Sequence, residues 1–307
     1  MTTPRLSPAD DGLHPPTDDF YHYESFWYAF HVPDRLLSGW LYTGVRPNSG
    51  VTTGGMWIWD DRSSSPWDAR FYENFTHVKF PAEVSERRIV FPTGMSVTTR
   101  TPLRNYDVAY SDRAGTEIGL RFEAAEPPQV TGEAPYTHAG HLDQTGRVTG
   151  ELRLDGEHIT VDCYAMRDRS WGPRRERGWR RMNYTWLAGP GCSALAYTTP
   201  GDGGERLFAG YVRRGPETVR LTGGERRTGR DPLHGWVSTV DLTAQGADES
   251  ALCARAQAIN RFFLPLATGV CVITTLRWEV DGVTCFGEDQ DIWPMRMFRD
   301  HLRKDTT

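Results

Sequence analysis

Short segments in which every second residue is apolar recur along the chain at intervals of about ten residues. In residues 117–123 (EIGLRFE), apolar side chains occupy every second position apart from the glycine, and the same alternation continues at 159–164 and 276–280. A period of two gives a strand one buried face and one polar face. These segments therefore predict half-buried β-strands.

Turn residues lie where the alternating segments meet. Asp155-Gly156 and Asp281-Gly282 each separate two such segments, and Asp-Gly suits the positive φ angles of a type I′ hairpin turn. Helical periodicity is weak throughout, apart from a short helix predicted at Met295–Arg303. The chain is therefore predicted to be all-β, with two antiparallel β-barrels or sandwiches and little helix.

The division of the chain is predicted from composition. A length of 307 residues suffices for two β domains of ordinary size. The stretch Glu123–Pro135 (EAAEPPQVTGEAP) lacks alternation and is rich in Pro, Glu and Ala, as linkers often are. We predict a flexible arm at 1–19, a β domain at 20–125, a linker at 126–136 and a second β domain at 137–307.

Charge and hydropathy exclude several classes of protein. The net charge of −5 argues against a nucleic-acid partner, which requires a basic surface. The longest apolar stretch, Phe262–Ile273, contains a proline and a glycine, so no membrane span is expected. The N-terminus lacks the apolar segment of a secretory signal. Five cysteines without a CxxC pair indicate reduced thiols, and we expect a cytoplasmic protein, either monomer or homodimer.

Motifs for bound cofactors do not occur. The sequence lacks GxGxxG after a strand, GxxxxGK[ST], HExxH, GxSxG and an EF-hand loop, so no cofactor is expected. His138 and His141 have metal-ligand spacing and Asp143 follows. On a loop, however, such polar residues are more often solvated. No metal site is therefore predicted.

The most unusual segment is Tyr164–Arg174 (YAMRDRSWGPR), which directly follows an alternating strand and carries four charged residues. Asp168 lies between Arg167 and Arg169, and nearby positive charge favours the ionised carboxylate. One interpretation is a buried lattice of arginine and aspartate, with Trp171 in the core. A second places Asp168 in a cavity as an acid, a base or a charge-stabilising group, and a third leaves the segment exposed at the surface. The arginines from 174 onward form either a solvated loop or a rim that attracts an anionic ligand.

Aromatic residues make a ligand pocket more plausible than the charges alone. Aromatic side chains crowd around Glu24, and the chain contains 11 tryptophans, which combine large apolar area with a polar handle. Glu24 among aromatics could have a raised pKa and act as a general acid, or it could be a structural, hydrogen-bonded residue. Near the C-terminus, Glu288 and two aspartates precede Trp293. These carboxylates either contribute to a site or form a solvated strand end.

Three segments resemble the signature of a two-domain, lipocalin-like superfamily: GRVTG at 146–150, LDGE at 154–157 and RDRSWGPR at 167–174. This superfamily includes the carotenoid 1,2-hydratases (hydroxyneurosporene synthases), the AttH-like proteins and the lipocalin-type Diels-Alderases. The similarity extends over nearly the whole chain after residue 19. Its most specific part is the segment Arg-Asp-Arg-Ser-Trp-Gly.

The resemblance implies two tandem lipocalin-like β-barrel domains and a hydrophobic pocket. It also implies isoprenoid, steroid-like or polyketide substrates of secondary metabolism, and cofactor-independent hydration, isomerisation or cyclisation of carbon–carbon double bonds. Many relatives have His at the position of Arg169. A guanidinium hardly deprotonates, so a proton-carrying role does not transfer to Arg169.

Three candidate functions fit these patterns. The first is an enzyme in which Asp168, Glu24 or His141 supplies a proton to a hydrophobic small molecule or stabilises developing charge. The second is a carrier of a lipid-like molecule, and the third is a carbohydrate-active protein, because tryptophan platforms with paired carboxylates suit sugars. The residues expected to bind substrate are Trp171, Arg169, Tyr164, Arg174, Trp27, Trp57, Glu288 and Trp293.

Overall fold

The computed structural model describes residues 6–80, 83–130, 140–175, 180–201 and 204–304. The chain divides into unit 1, residues 1–58 and 70–175, and unit 2, residues 59–69 and 176–307. The strands that build the sheet of unit 1 are β1 His22–Val32, β2 Leu37–Arg46, β3 Val51–Trp59, β4 Phe71–Lys79, β5 Glu83–Val84, β6 Arg88–Val90, β7 Met95–Thr101, β8 Asn105–Ser111, β9 Glu117–Ala124, β10 Gln129–Val130, β11 Gly140–Leu154 and β12 Glu157–Pro173. The elements of unit 2 are β13 Met182–Gly189, β14 Cys192–Gly201, β15 Gly204–Arg214, β16 Glu217–Arg230, β17 Val237–Gly246, β18 Ala251–Pro265, β19 Gly269–Val280, β20 Val283–Pro294 and α1 Met295–Lys304.

Unit 1 is one sheet in the order β4-β3-β2-β1-β12-β11-β9-β8-β7-β6-β5, with β10 paired to β11. The sheet curls back on itself. Phe26 of β1 contacts Phe91, which lies between β6 and β7, and their ring centroids are 5.3 Å apart. In β9 the apolar residues of the alternating pattern are buried and the intervening residues are exposed, as predicted. The curled sheet thus forms a half-barrel.

The boundary between the units differs from the predicted linker. The long hairpin of β11 and β12 was assigned to the second domain, but β12 pairs with β1 and β11 pairs with β9. Proline-rich composition reports only local irregularity, whereas strand pairing is a long-range property of the chain. The chain passes from unit 1 into unit 2 after Arg175.

Unit 2 is a closed barrel of eight antiparallel strands, β13 to β20 in sequence order. Leu276, Trp278 and Cys285 belong to an apolar cluster inside it. Helix α1 follows Pro294 where the short helix was predicted, and its Phe298 packs against Phe263 with ring centroids 5.5 Å apart. The prediction of an all-β fold with two barrel-like domains is confirmed.

The two predicted Asp-Gly hairpin turns are present, and the state of the cysteines and the character of the helices are also visible in the structure. Asp155 and Gly156 have φ angles of 52° and 79°, and Asp281 and Gly282 have 50° and 78°, as type I′ turns require. The five cysteines are free thiols, of which Cys253 is exposed. In the described residues, no helix has the length and apolar character needed to cross a membrane.

Candidate functional site

Strand β12 separates the charged segment into two sites, because successive side chains of a strand point to opposite faces. Arg169 lies opposite Phe26 of β1, and both lie on what we call the Arg169 face. Asp168 lies opposite Trp27 of β1 and Asp143 of β11 on the other side, which we call the Asp168 face. Residues adjacent in sequence therefore belong to different environments.

The Asp168 face holds a compact acid–base cluster. The Nδ1 atom of His141 lies 2.7 Å from Ser170 Oγ, and its Nε2 atom lies 3.1 Å from Asp143 Oδ1. One ligand atom from each of His141, Asp143 and Asp168 lies within 4.8 Å of the others. Asp168 itself makes no hydrogen bond with the residues that the structure describes, and its side chain is partly accessible. The cluster thus contains one carboxyl group that is open to a ligand.

The environment raises two pKa values in the cluster. Burial raises the pKa of Asp168 to about 6, and the charge of Asp143 adds to this, although His141 and Arg174 oppose it. Burial lowers the pKa of His141, but the charge and hydrogen bond of Asp143 outweigh burial and raise it. A carboxyl group that titrates near neutral pH can both give and take a proton.

A group of aromatic side chains lies beside this cluster, because Trp27 is opposite Asp168. Trp27 packs edge-on against Trp40 at a centroid distance of 5.2 Å, and Trp57 stacks on Tyr42 at 6.0 Å. The hydroxyl groups of Tyr42 and Tyr23 lie 2.6 Å apart. We call these five residues the aromatic wall. Trp27 and Trp57 were predicted from the sequence, but Trp40 and Tyr42 were missed, and their even spacing on β2 was the available signal.

Two other predicted residues lie at the margins of the Asp168 face. Arg174 lies directly after β12, with its guanidinium carbon 5.1 Å from the centre of the Tyr23 ring. Its charge lowers the pKa of Asp168. Tyr164 is half-buried opposite Arg147, four positions before Asp168. Arg174 is thus electrostatically coupled to the cluster.

Glu24 is an ion-pair partner of Arg169. Its carboxylate accepts a hydrogen bond from the backbone N–H of His14 at 2.8 Å and one from Arg169 at 3.1 Å. Burial raises the pKa of Glu24, but the hydrogen bond of His14 and the charge of Arg169 outweigh burial and lower it. This is the opposite of the raised pKa that a general acid at Glu24 requires. Arg169 also lies 3.7 Å over Phe26.

The N-terminal segment completes the Arg169 face. Residues Pro8–Asp11 form a 3₁₀-helix, and Asp11 accepts hydrogen bonds from Tyr106 at 2.6 Å and from Arg167 at 3.3 Å. His14 stacks on Trp171 at a centroid distance of 4.5 Å. The predicted flexible arm therefore includes an anchored segment, because buried arginines need anionic partners. The lattice interpretation holds on this face, with Asp11 and Glu24 as its acids.

Glu288 and Trp293 lie in unit 2, on opposite faces of β20. Glu288 is buried and accepts a hydrogen bond from Gln290 at 2.9 Å. Trp293 contacts Arg181, whose guanidinium carbon lies 3.9 Å from the ring centre, and its ring stacks on His301. Their predicted contact with a substrate stays a prediction.

Two surface depressions lie away from the predicted site residues. They have volumes of about 330 Å³ and 390 Å³. The first is lined by Glu117, Gly119, Gly150, Glu151, Leu152, Arg153 and His158, and the second by Thr239, Asp241, Arg255, Ala256, Gln257, Arg277 and Glu279. Neither contains an aromatic side chain or a predicted site residue, so the predicted hydrophobic pocket stays a prediction.

Comparison with known proteins places the fold. A structure assigned as AttH from Nitrosomonas europaea aligns with 95% of this chain across 97% of its own length, at 13% identity and a TM-score of 0.60. CghA matches at 7% identity over 90% of this chain and 88% of CghA, with a TM-score of 0.62. CghA with Sch210972 matches at 7% identity over 90% and 89% of the two chains, with a TM-score of 0.61. No curated protein matches the chain.

The first two of these structures carry the fold of the superfamily that the sequence resembles, so the resemblance is confirmed at the level of fold. At such low identity the likeness concerns architecture alone. A family described as "Domain of unknown function (DUF7064)" matches residues 7–288, nearly the whole chain. The chain therefore belongs to the DUF7064 family.

Proposed function

We propose that the protein is a cofactor-independent enzyme that moves a proton to or from a carbon–carbon double bond of a hydrophobic substrate at the Asp168 face. The observation that carries this proposal is Asp168, a carboxyl group beside the aromatic wall with a pKa of about 6 and no hydrogen bond to a described residue. The substrate class we propose is an isoprenoid, a steroid-like molecule or a polyketide.

The cluster supplies each step of such a reaction. Protonated Asp168 donates its proton to an alkene carbon, which leaves a carbocation on the substrate and a carboxylate on Asp168. Aromatic faces stabilise a cation, and Trp27 lies directly opposite Asp168. The Asp168 carboxylate then removes a proton from a neighbouring carbon, giving an isomer, or from water that adds to the cation, giving a hydrate.

His141 has a supporting role in this scheme. Its two ring nitrogens contact Ser170 and Asp143, so the ring is held in one orientation. Because Asp143 raises its pKa, His141 can carry positive charge beside the Asp168 carboxylate after proton donation. We propose that His141 stabilises this carboxylate and that Asp168 transfers the proton. Glu24 has no part, since Arg169 and His14 hold it as a carboxylate on the opposite face.

Two observations favour other uses of the same residues. One of the CghA structures is that of CghA with Sch210972, and a small molecule bound against the aromatic wall here would suit a non-catalytic carrier equally well. The separation of at most 4.8 Å among the ligand atoms of His141, Asp143 and Asp168 would also suit a divalent cation. A bound metal ion would occupy the carboxylate oxygen of Asp168 that carries the proton in the proposed reaction, so the two uses exclude each other.

The experiment that tests the proposal follows deuterium. The enzyme is incubated in D₂O with acyclic carotenoids, squalene and linear polyketide polyenes, and mass spectrometry measures deuterium incorporated into carbon. Asp168→Asn should reduce incorporation at least about 100-fold, a loss typical of removing a general acid. Asp162→Asn, an exposed change on the same strand, should not.

Three outcomes would contradict the proposal. Equal rates for wild type and Asp168→Asn remove Asp168 from the chemistry. A lipid that purifies with the protein and is returned unchanged by it indicates a carrier. Metal found at one equivalent by elemental analysis, and lost in Asp168→Asn, assigns the cluster to a cation.

A further inference from the structure

The interior of the unit 2 barrel changes from apolar to charged along its axis. One end is filled by the apolar cluster that contains Leu276 and Trp278. Beyond it, Arg226 of β16 donates to Asp289 of β20 at 2.7 Å. These strands lie four places apart in a closed barrel of eight, on opposite sides of the interior. The ion pair therefore crosses the barrel, and we call the part of the interior between it and α1 the polar compartment.

Acidic residues in this compartment are all paired. Glu205 accepts from Arg226 at 2.6 Å and from Arg181 at 2.8 Å. Asp291 accepts from Arg181 at 2.7 Å, and Asp289 is already paired with Arg226. The other end of the compartment is bounded by Trp293 and by α1, which packs on it. Each carboxylate thus has a guanidinium partner in the compartment.

Arg261 is a third arginine on the interior side of the barrel. The register puts Arg261 opposite Thr274, and Thr274 opposite Asp289, so all three lie on the interior side. The guanidinium carbon of Arg261 lies 5.0 Å from the Trp236 ring centre, and among the described residues no carboxylate pairs with it. The interior arginines are thus Arg181, Arg226 and Arg261, and the acids are Glu205, Asp289 and Asp291. Arg230 is 39% exposed and reaches Asp291 at 3.6 Å from outside this group.

Three buried polar atoms of this compartment also lack hydrogen-bond partners in the described part of the chain. They are Arg261 Nε, Thr274 Oγ1 and Asn183 Oδ1. Asn183 lies opposite Asp291, and the exposed fractions of Asn183 and Thr274 are 0% and 1%. Buried polar groups in native proteins are normally satisfied by protein, water or ligand. Two of these atoms can donate, and the amide oxygen can only accept.

We propose that this compartment binds a small monocarboxylate that also carries a hydroxyl or amino group. The carboxylate accepts from Arg261 and Thr274 and gives the Arg261 guanidinium the anionic partner that it lacks among the described residues. The hydroxyl or amino group donates to Asn183 Oδ1. The Arg226–Asp289 pair limits the depth, so the ligand is small. The site lies wholly in unit 2 and is independent of the function proposed for unit 1.

Isothermal titration calorimetry and thermal melting with glycolate and L-lactate test this site. Acetate, which lacks the hydroxyl, and methyl glycolate, which lacks the charge, are the matched ligands. Either hydroxyacid should bind and raise the Tm, and methyl glycolate should bind at least tenfold more weakly. Arg261→Gln and the isosteric Thr274→Val should each weaken binding, the former at least tenfold. Arg255→Gln, an 83% exposed arginine of the same strand, should bind as wild type does.

Failure of both hydroxyacids to bind would overturn the proposal and leave water as the occupant. Binding that is unchanged in both Arg261→Gln and Thr274→Val would overturn it as well, since the ligand would then lie elsewhere. Acetate that binds as tightly as glycolate would refute the hydroxyl contact with Asn183. Circular dichroism shows which variants fold. If Arg261→Gln does not fold, Thr274→Val, which changes no charge, still tests the site.

Discussion

Asp143 and Asp168 lie directly opposite each other on β11 and β12, with both side chains on the same face of the sheet. Two carboxylates so placed resist double ionisation. Asp143 has His141 as a partner at 3.1 Å, whereas Asp168 has no hydrogen-bonded partner in the described residues. Asp168 therefore keeps its proton to a higher pH than an ordinary aspartate, mainly because burial raises its pKa. This pairing gives the proposed enzyme its acid.

Asp168 should make stability depend on pH. Its pKa is raised from 3.8 to about 6 in the folded protein, so folding favours the protonated form. The resulting contribution is fully present below pH 4 and is lost as the pH rises to about 6. Asp168→Asn removes this pH dependence. As the pH rises from 4 to 7.5, wild type should therefore lose up to about 3 kcal/mol of stability that the variant keeps. Urea unfolding at several pH values measures this. A constant difference would contradict the shifted pKa.

The rate of proton donation should fall at alkaline pH. Only the protonated form of Asp168 can donate, so kcat/KM for a polyene substrate should decrease about tenfold per pH unit above the pKa of about 6. Deuterium incorporation between pH 5 and pH 8.5 measures the profile, with Asp162→Asn as the control. A rate that is flat from pH 6 to pH 8 would show that another group is the acid.

Glu24 should matter for stability and not for proton transfer. Glu24→Gln removes the negative partner of the buried Arg169, and an uncompensated buried charge costs about 3–5 kcal/mol. In the Glu24→Gln/Arg169→Met double variant the loss should be smaller, because no unpaired charge remains. Urea unfolding of the single and double variants gives the coupling energy. Asp162→Asn, which breaks the exposed pair with Arg147, should cost much less stability than Glu24→Gln. Additive losses for Glu24 and Arg169 would contradict the pairing.

Local sequence signals predicted the elements well. The alternation at 117–123 is strand β9, the two Asp-Gly pairs are tight turns, and the helix after Pro294 begins where expected. Each of these features depends on residues within a few positions of one another. The identity of the fold rested on the segment at 167–174, which is more specific than any periodicity.

Long-range pairing was less accessible. The sequence does not reveal that β12 returns to β1, so Asp168 and Arg169 were treated as one site although the sheet separates them. Likewise, the partners of Arg167 and Arg169 come from residues 11 and 24, more than 140 positions away. A proline-rich N-terminus predicts an irregular chain, but it does not show that Asp11 of this chain is buried against Arg167.

Gly44 should control the shape of the aromatic wall. A Cβ atom at this position would lie 1.8 Å from the hydroxyl oxygen of Tyr23, which contacts Tyr42. Gly44→Ala should therefore displace Tyr23, cost about 1–3 kcal/mol of stability and weaken binding of a polyene substrate. Gly119→Ala on β9 is the matched control, because no atom lies within 4 Å of its added Cβ, and its effect should stay within about 0.5 kcal/mol. Urea unfolding and KM measure the two effects. If Gly44→Ala lowers stability and leaves KM unchanged, Tyr23 packs the fold and does not contact the substrate.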